Sequence, residues 1–341
     1  MSLDEDFFAC LGESAPRLVD SLERFAQVRV LVVGDLALDE FMTGEVERVS
    51  REAPVMILRH ETTRQVPGGG ANSVCNFAAL GASVKAAGFV GDDDQGQAIR
   101  RIFSHMNVDT QGVMVDGDRP TVTKTRISGH ARQSVTQQIV RIDRKSDAFP
   151  SLTRQQQLAD YIRQQIDHVD CVVCSDYGDG VLTQAVIQAS LAHALVVVDA
   201  QQALHRFAGA TMFTPNLPEA EKAVGYAIAD ESSLYQAGND LLRTTQADGV
   251  LITRGGDGMT FFDKTGHPQS IPAFNRTDVF DVTGAGDTVT AALTLALGTG
   301  ASFWEATVLG NLAASIVVRE FGTATTTVNA MKQALSALLL T

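Results

Sequence analysis

Cationic side chains are scarce in this chain of 341 residues: 27 lysines and arginines face 40 aspartates and glutamates, a formal net charge of −13. That balance argues against long contacts with nucleic acid, which need cations to neutralise phosphates, but it leaves room for a local basic pocket. Long apolar runs are missing too. Val28–Val33, interrupted by Arg29, and Leu195–Val198 fall far short of the ~20 residues of a membrane span. The N-terminus, MSLDEDFFACLGE, is acidic where an export signal would be basic, so a cytoplasmic protein with no membrane partner is expected.

Cysteine is rare, and two of the four form a C-x-x-C, Cys171 and Cys174. The surrounding Asp170-Cys-Val-Val-Cys-Ser-Asp176 reads as a buried strand, in which residues three apart face opposite sides, and not as a redox or zinc motif. The seven histidines lack an H-x-x-x-H spacing, which leaves no metal cage to propose. No G-x-x-x-x-G-K-[ST] loop is present, since Gly91-Asp-Asp-Asp-Gln-Gly96 is acidic and has no lysine. No G-x-G-x-x-G follows the first apolar run either, so P-loop and nicotinamide-binding folds are both disfavoured.

What is present is alternation. Strand-like runs at Val28–Val33, Ser83–Phe89, Cys171–Ser175, Ala194–Asp199, Met212–Thr214 and Gly249–Thr253 interleave with helical-period segments. Those segments are Asn72–Leu80, Gln95–His105, Thr153–Asp167, Thr183–Ala192, Pro218–Val224 and Ser232–Thr244. The pattern predicts a doubly wound α/β sheet covered on both faces. Two stretches, 42–64 and 121–143, break it and read as inserted strands able to form a small sheet over the strand ends. Residues 1–27 stand apart as an N-terminal extension without a motif.

Three segments carry chemistry. Asp281-Val-Thr-Gly-Ala-Gly-Asp-Thr288 precedes an apolar helical run, so its glycines can converge backbone N–H groups at a helix N-terminus, where an anion is favoured. Asp287 is then placed to take a proton from an attacking hydroxyl, although a plain helix start with an acidic first turn fits equally well. Pro67-Gly-Gly-Gly-Ala-Asn72 places glycines at another helix start, with Asn72 able to donate to and accept from sugar hydroxyls. Gly34-Asp-Leu-Ala-Leu-Asp39 supplies two carboxylates just beyond a buried strand, the ligand-facing edge of an open α/β sheet.

Together with Asn216-Leu-Pro-Glu219 and Thr253-Arg-Gly-Gly-Asp-Gly258, these segments resemble, in order, the signatures of the ribokinase-like, PfkB-type carbohydrate kinases. The likeness spans about Val28 to Gly322 and implies a ribokinase-like sheet flanked by helices, with a small β-sheet lid, in a kinase domain over 28–341. Within the family, Val32–Asp39, Ser50–Val55, Gln138–Asp143 and Ser175-Asp-Tyr177 resemble the kinases of ADP-heptose formation. That implies ATP-dependent phosphorylation of D-glycero-D-manno-heptose 7-phosphate at the anomeric hydroxyl. A bifunctional version adds a nucleotidyltransferase domain, for which this chain is too short, so a monofunctional form is expected.

The resemblance makes Asp287 the general base and the amides of Gly284, Ala285 and Gly286 the anion hole. It aligns Asp39, Gly69 and Asn72 with sugar contacts, and Asn216 and Glu219 with the magnesium–phosphate region, Glu219 acting through water. Thr253, Gly255 and Gly258 would border the nucleotide phosphates and ribose, Asn311 the adenine, and Asp281 with Gly322 a monovalent-cation loop suited to potassium. A phosphorylated substrate also needs cations, and Lys124, Arg126 and Arg141 lie on the expected lid strands. A homodimer through the lid would cover its exposed edges. Two other readings stay open: a PfkB-type kinase of another sugar, sugar phosphate or nucleoside, and a non-catalytic sugar-binding protein.

Overall fold

The computed structural model describes residues 5–131, 135–264, 266, 268–275, 279, 281–320 and 322–340. In chain order the strands are β1 (Arg29–Gly34), β2 (Leu36–Val49), β3 (Met56–Gly69), β4 (Ser83–Val90), β5 (Asp109–Val115), β6 (Val122–His130) and β7 (Gln137–Arg144). They continue with β8 (Cys171–Asp176), β9 (Val196–Ala200), β10 (Met212–Phe213), β11 (Gly249–Thr253), β12 (Met259–Asp263) and β13 (Gln269–Ile271). The helices are α1 (Glu5–Arg24), α2 (Gly70–Ala79), α3 (Asp94–His105), α4 (Leu152–Gln165), α5 (Gln184–Ser190), α6 (Leu217–Val224), α7 (Glu231–Thr245), α8 (Ala285–Gly298), α9 (Phe303–Val317) and α10 (Val328–Leu338).

Nine strands form the main sheet in the order β13-β12-β11-β10-β9-β8-β1-β4-β5. All its pairings from β11 to β5 are parallel, and β12 and β13 add an antiparallel edge. Strands buried on both faces must be apolar at every position, and β1 shows the consequence: Val30 and Val32 enter one core layer, Leu31 and Val33 the other. Cys171 and Cys174 divide in the same way, both buried thiols without a disulfide. They are strand residues on opposite faces, as their spacing predicts.

Residues 5–24 are built into the first layer, where Leu11, Leu18 and Leu22 of α1 are buried and the helix packs against α9 and α10. The sequence pattern did not mark α1, α9 or α10 as helices. In α9 the cause is visible: FWEATVLGNLAASIV is apolar nearly all round and buried along most of its length, so it lacks the polar stripe that reveals a surface helix.

The two irregular stretches form a separate sheet in the order β3-β2-β6-β7. It extends further than 42–64 and 121–143, because β1 runs almost directly into β2 and β3 ends only where α2 begins. Strand β2 pairs antiparallel with β3 and parallel with β6, and β6 pairs antiparallel with β7. Every residue of β7 is exposed, which makes it an open edge. No helix among the described residues is long and apolar enough to cross a membrane.

Candidate active site

Asp287 sits in the first turn of α8, only 4% exposed. Asn72 Nδ2 of α2 donates to its Oδ2 at 2.6 Å, and the Tyr177 hydroxyl, just beyond β8, donates to its Oδ1 at 3.2 Å. A second tie, Thr288 Oγ1 to Asn76 Oδ1 at 2.7 Å, fixes α8 against α2 one turn along. Burial pushes the Asp287 carboxyl up to about 6, against the opposing pull of the Asn72 and Tyr177 hydrogen bonds. Such a group is ionised at neutral pH yet basic enough to accept a proton.

The start of α8 depends on Gly284, whose φ of +78° suits glycine, and a Cβ there would lie 2.8 Å from Asn72 Nδ2. The N–H groups of a first helical turn have no partner within the helix. Of the three expected anion-hole amides, however, Ala285 N–H donates to Val282 O at 3.2 Å, so it is not wholly free in this conformation. Gly286 borders open space. Gly69 has φ +52°, and a Cβ there would meet the Asp35 carbonyl oxygen at 2.9 Å, which explains the glycine between β3 and α2.

Two carboxylates were expected at the ligand-facing edge after β1, and the structure separates them. Asp35 turns inward and is fully buried, accepting the backbone N–H groups of Tyr177, Asp179 and Val181 at 2.8 to 3.0 Å. It therefore organises the loop that carries Tyr177. Asp39 lies on lid strand β2, ion-paired to Arg126 Nη1 at 2.9 Å.

In register across the lid, Arg64, Phe41, Arg126 and Arg141 form one row from β3 to β7. Arg64 and Arg126 both lie against the Phe41 ring, at 5.1 and 5.2 Å from its centre. One step along the same face, Asp39, Lys124 and Asp143 form the next row. Lys124 Nζ is 5.8 Å from the centre of the Tyr177 ring, so this face looks toward the Asp287 site. Arg141 is held by both oxygens of Asp143, at 2.7 and 2.6 Å, on the exposed strand β7.

Beside the start of α8 lies a cleft of about 420 Å³. Asn216, Thr253, Gly255, Gly258 and Asn311 line it, as do Ala285 and Gly286. Its size and its largely apolar lining with a few polar groups suit a nucleotide. Asn216 and Glu219 cap α6 reciprocally, each accepting the other's backbone N–H at 2.9 Å. Asn311 Nδ2 is committed to Pro272 O at 2.7 Å and so holds the cleft wall in place.

The sequence profile of the pfkB family carbohydrate kinases matches residues 29–330. The chain belongs to this family. It is an ATP-dependent carbohydrate kinase. Among curated proteins, the kinase is 41% identical over 307 residues to "Bifunctional protein HldE" of Desulfatibacillum aliphaticivorans, covering 88% of this chain and 62% of the relative. It is 43% identical over 315 residues to the protein of the same name from Geobacter metallireducens, covering 90% of this chain and 63% of that one. The chain thus spans less than two thirds of the length of these relatives.

Solved structures confirm the ribokinase-like fold. Arabidopsis thaliana ribokinase, complexed with ribose and ATP, superposes with a TM-score of 0.71 at 20% identity, covering 92% of this chain and 98% of that one. Phosphofructokinase-2 from Escherichia coli, in complex with potassium, gives 0.73 at 19% identity, covering 92% and 100%.

The candidate site contains groups to which the sequence assigned no role. Asp199, next to the last residue of β9, is pushed well above the usual carboxylate range by burial and by repulsion from Asp287 and Glu219. Burial likewise raises Glu219, although Asn216 and the Lys222 charge pull it down. Tyr177 and Arg64 are the other additions. Of these, Arg64 lies three residues before Pro67-Gly-Gly-Gly and Tyr177 within the Ser175-Asp-Tyr177 segment, while the strand-end position of Asp199 offered a hint.

Proposed function

We propose that this kinase transfers the γ-phosphoryl group of ATP to the anomeric hydroxyl of D-glycero-D-manno-heptose 7-phosphate. The observation that carries the substrate is the lid face that looks toward Asp287, where Arg64, Arg126 and Lys124 converge in an otherwise acidic protein. A sugar that already bears a phosphate would supply an anion to Arg64 and Lys124 beside the Arg126–Asp39 pair, and guanidinium groups suit it by two-point contact. The likeness to proteins named HldE supports heptose as the sugar.

In this mechanism Asp39, Gly69 and Asn72 position the sugar, and Asn72 also holds the Asp287 carboxylate toward the reacting hydroxyl. The hydroxyl oxygen forms a bond to the γ-phosphorus while the bond to the β,γ-bridging oxygen breaks and ADP leaves. Asp287 Oδ takes the hydroxyl proton. Charge developing on the transferred group meets the N–H groups of Gly284 and Gly286, with Ala285 joining if its bond to Val282 opens. Thr253, Gly255 and Gly258 flank the nucleotide, and Asn311 backs the base.

Two ions accompany this reading. Asp199 and Glu219 form an all-oxygen donor set whose mutual repulsion a divalent cation would relieve. No group of three His, Cys, Asp or Glu among the described residues is arranged to hold a bare metal ion. Asp199 and Glu219 would therefore hold magnesium that keeps part of its water, and the ion would supply positive charge to neutralise phosphate. The potassium site fits less well. Asp281 already accepts N–H bonds from Thr283 at 2.9 Å and Gly322 at 3.0 Å, which hold it below the usual carboxylate range despite partial burial. We derive no step through it.

A second reading, phosphorylation of an unphosphorylated sugar, is favoured by one feature: Arg126 and Arg141 each already have a carboxylate partner. A coupled assay of ADP release with Mg-ATP decides between them. The heptose phosphate should support saturable turnover, lost in Asp287→Asn, whereas turnover on ribose, fructose, fructose 6-phosphate or adenosine alone would retain the kinase and discard the heptose. The open edge β7, with Ile139, Val140 and Ile142 exposed, supports a homodimer through the lid, which sedimentation of Ile142→Lys would test.

A further inference from the structure

Helix α1 lies ahead of residue 29, where the family match begins, yet it reaches the nucleotide cleft. The ring of Phe7, near its start, is centred 5.9 Å from that of Phe274 and 6.2 Å from that of Trp304. Phe274 is an aromatic side chain in the lining of the cleft, on the irregular segment that follows β13. Trp304 lies in the first turn of α9, the helix that also presents Asn311 to the cleft. Further along α1, Arg17 donates to Glu305, the residue that closes the capping box of α9, at 2.5 Å.

A ring on an irregular segment has rotamers to lose when a ligand packs against it, and a neighbour that fixes it beforehand lowers that cost. Phe274 packs against the edge of the buried core, and the aromatic ring described in contact with it is that of Phe7. We propose that Phe7 is a positioning residue for nucleotide binding. Through Phe274 it sets the apolar wall against which the base of ATP packs, and this couples α1 to nucleotide affinity. The inference rests on the reading of this cleft as the nucleotide site.

The test is the dissociation constant for ADP, measured by calorimetry on the full chain, together with the melting temperature. Phe7→Ala should weaken ADP binding on the order of 3- to 10-fold, the loss expected for one aromatic pair, and Phe7→Tyr should restore it. Leu18→Ala, which removes a buried side chain from the same helix, should lower the melting temperature and leave ADP affinity unchanged. Equal weakening by Leu18→Ala, or Phe7→Ala lowering the melting temperature alone, would reduce α1 to a structural brace and overturn the proposal. If Phe7→Ala does not fold, Phe7→Leu carries the same comparison. Phe274→Ala separates the two levels: if it weakens ADP binding while Phe7→Ala does not, the coupling fails and the cleft stands. If neither variant weakens binding, the cleft reading itself fails.

Discussion

Replacing Asp287 with asparagine should stabilise this kinase while disabling it. Burial moves the carboxyl from its ordinary 3.8 to about 6. A displacement of that size corresponds to about 3 kcal/mol of folding free energy lost when the group is ionised. The sign follows from proton affinity. The folded state holds this proton more tightly than the unfolded chain, so the penalty is absent below about pH 4, grows as pH rises toward 6 and is complete above it. Asparagine keeps an oxygen to accept the Asn72 bond and an amide to donate toward Tyr177, and it carries no charge. At pH 7.5 the variant should melt roughly 5 °C higher than the native protein. At pH 4 the two should melt together, and turnover should fall by about 10² to 10⁴. Thermal melts from pH 4 to 8, paired with the coupled ADP assay, read both effects. A variant less stable than the parent at pH 7.5, or a difference that does not change with pH, would refute the picture of a desolvated base.

Other consequences can be checked separately. Because Asp287 titrates near 6, kcat/KM should rise tenfold per pH unit below that value and level off above it. Arg64→Ala and Lys124→Ala should each raise KM for a phosphorylated sugar roughly tenfold and leave an unphosphorylated one nearly unaffected, a contrast that steady-state kinetics on the two substrates reveals. Gly284→Ala should cost about 1–2 kcal/mol through its positive φ, and its methyl would press on Asn72, so activity should fall further than denaturant stability suggests. A thiol reagent should label one cysteine in the native protein, exposed Cys10, and all four after unfolding. Burial raises the thiols of Cys75 and Cys174 to about 12, and that of Cys171 higher still.

The central sheet was legible in the sequence because strands buried on both faces must be continuously apolar and β-branched, as Val30–Val33 and Val196–Val198 are. The Gly-rich segments were legible because only glycine accommodates the backbone at 69 and 284. What escaped has two physical causes. Helix α9 is too apolar to show a periodic face, and α1 joins the core through contacts with chain about three hundred residues away, such as Arg17 with Glu305. Asp35 was misplaced for a related reason. A carboxylate after a strand reads as ligand-facing unless the backbone N–H groups it will accept are known, and those belong to residues 177–181.

The distribution of charge across the site follows the same division between local pattern and long-range assembly. Asp199, Glu219 and Asp287 come from the ends of β9 and the starts of α6 and α8, all on the main-sheet side. Arg64, Lys124 and Arg126 come from the lid. Each set is uncomfortable alone: Asp287 and Glu219 raise the buried Asp199, and the lid cations lean on aromatic rings and a single aspartate. In the proposed reaction a phosphorylated sugar with magnesium-bound ATP would bring an anion to the lid and a cation to the carboxylates, so that binding would relieve both sets together. On this reading the lid cations and the sheet carboxylates face each other across the sugar site, and an unphosphorylated sugar would satisfy only the carboxylate side.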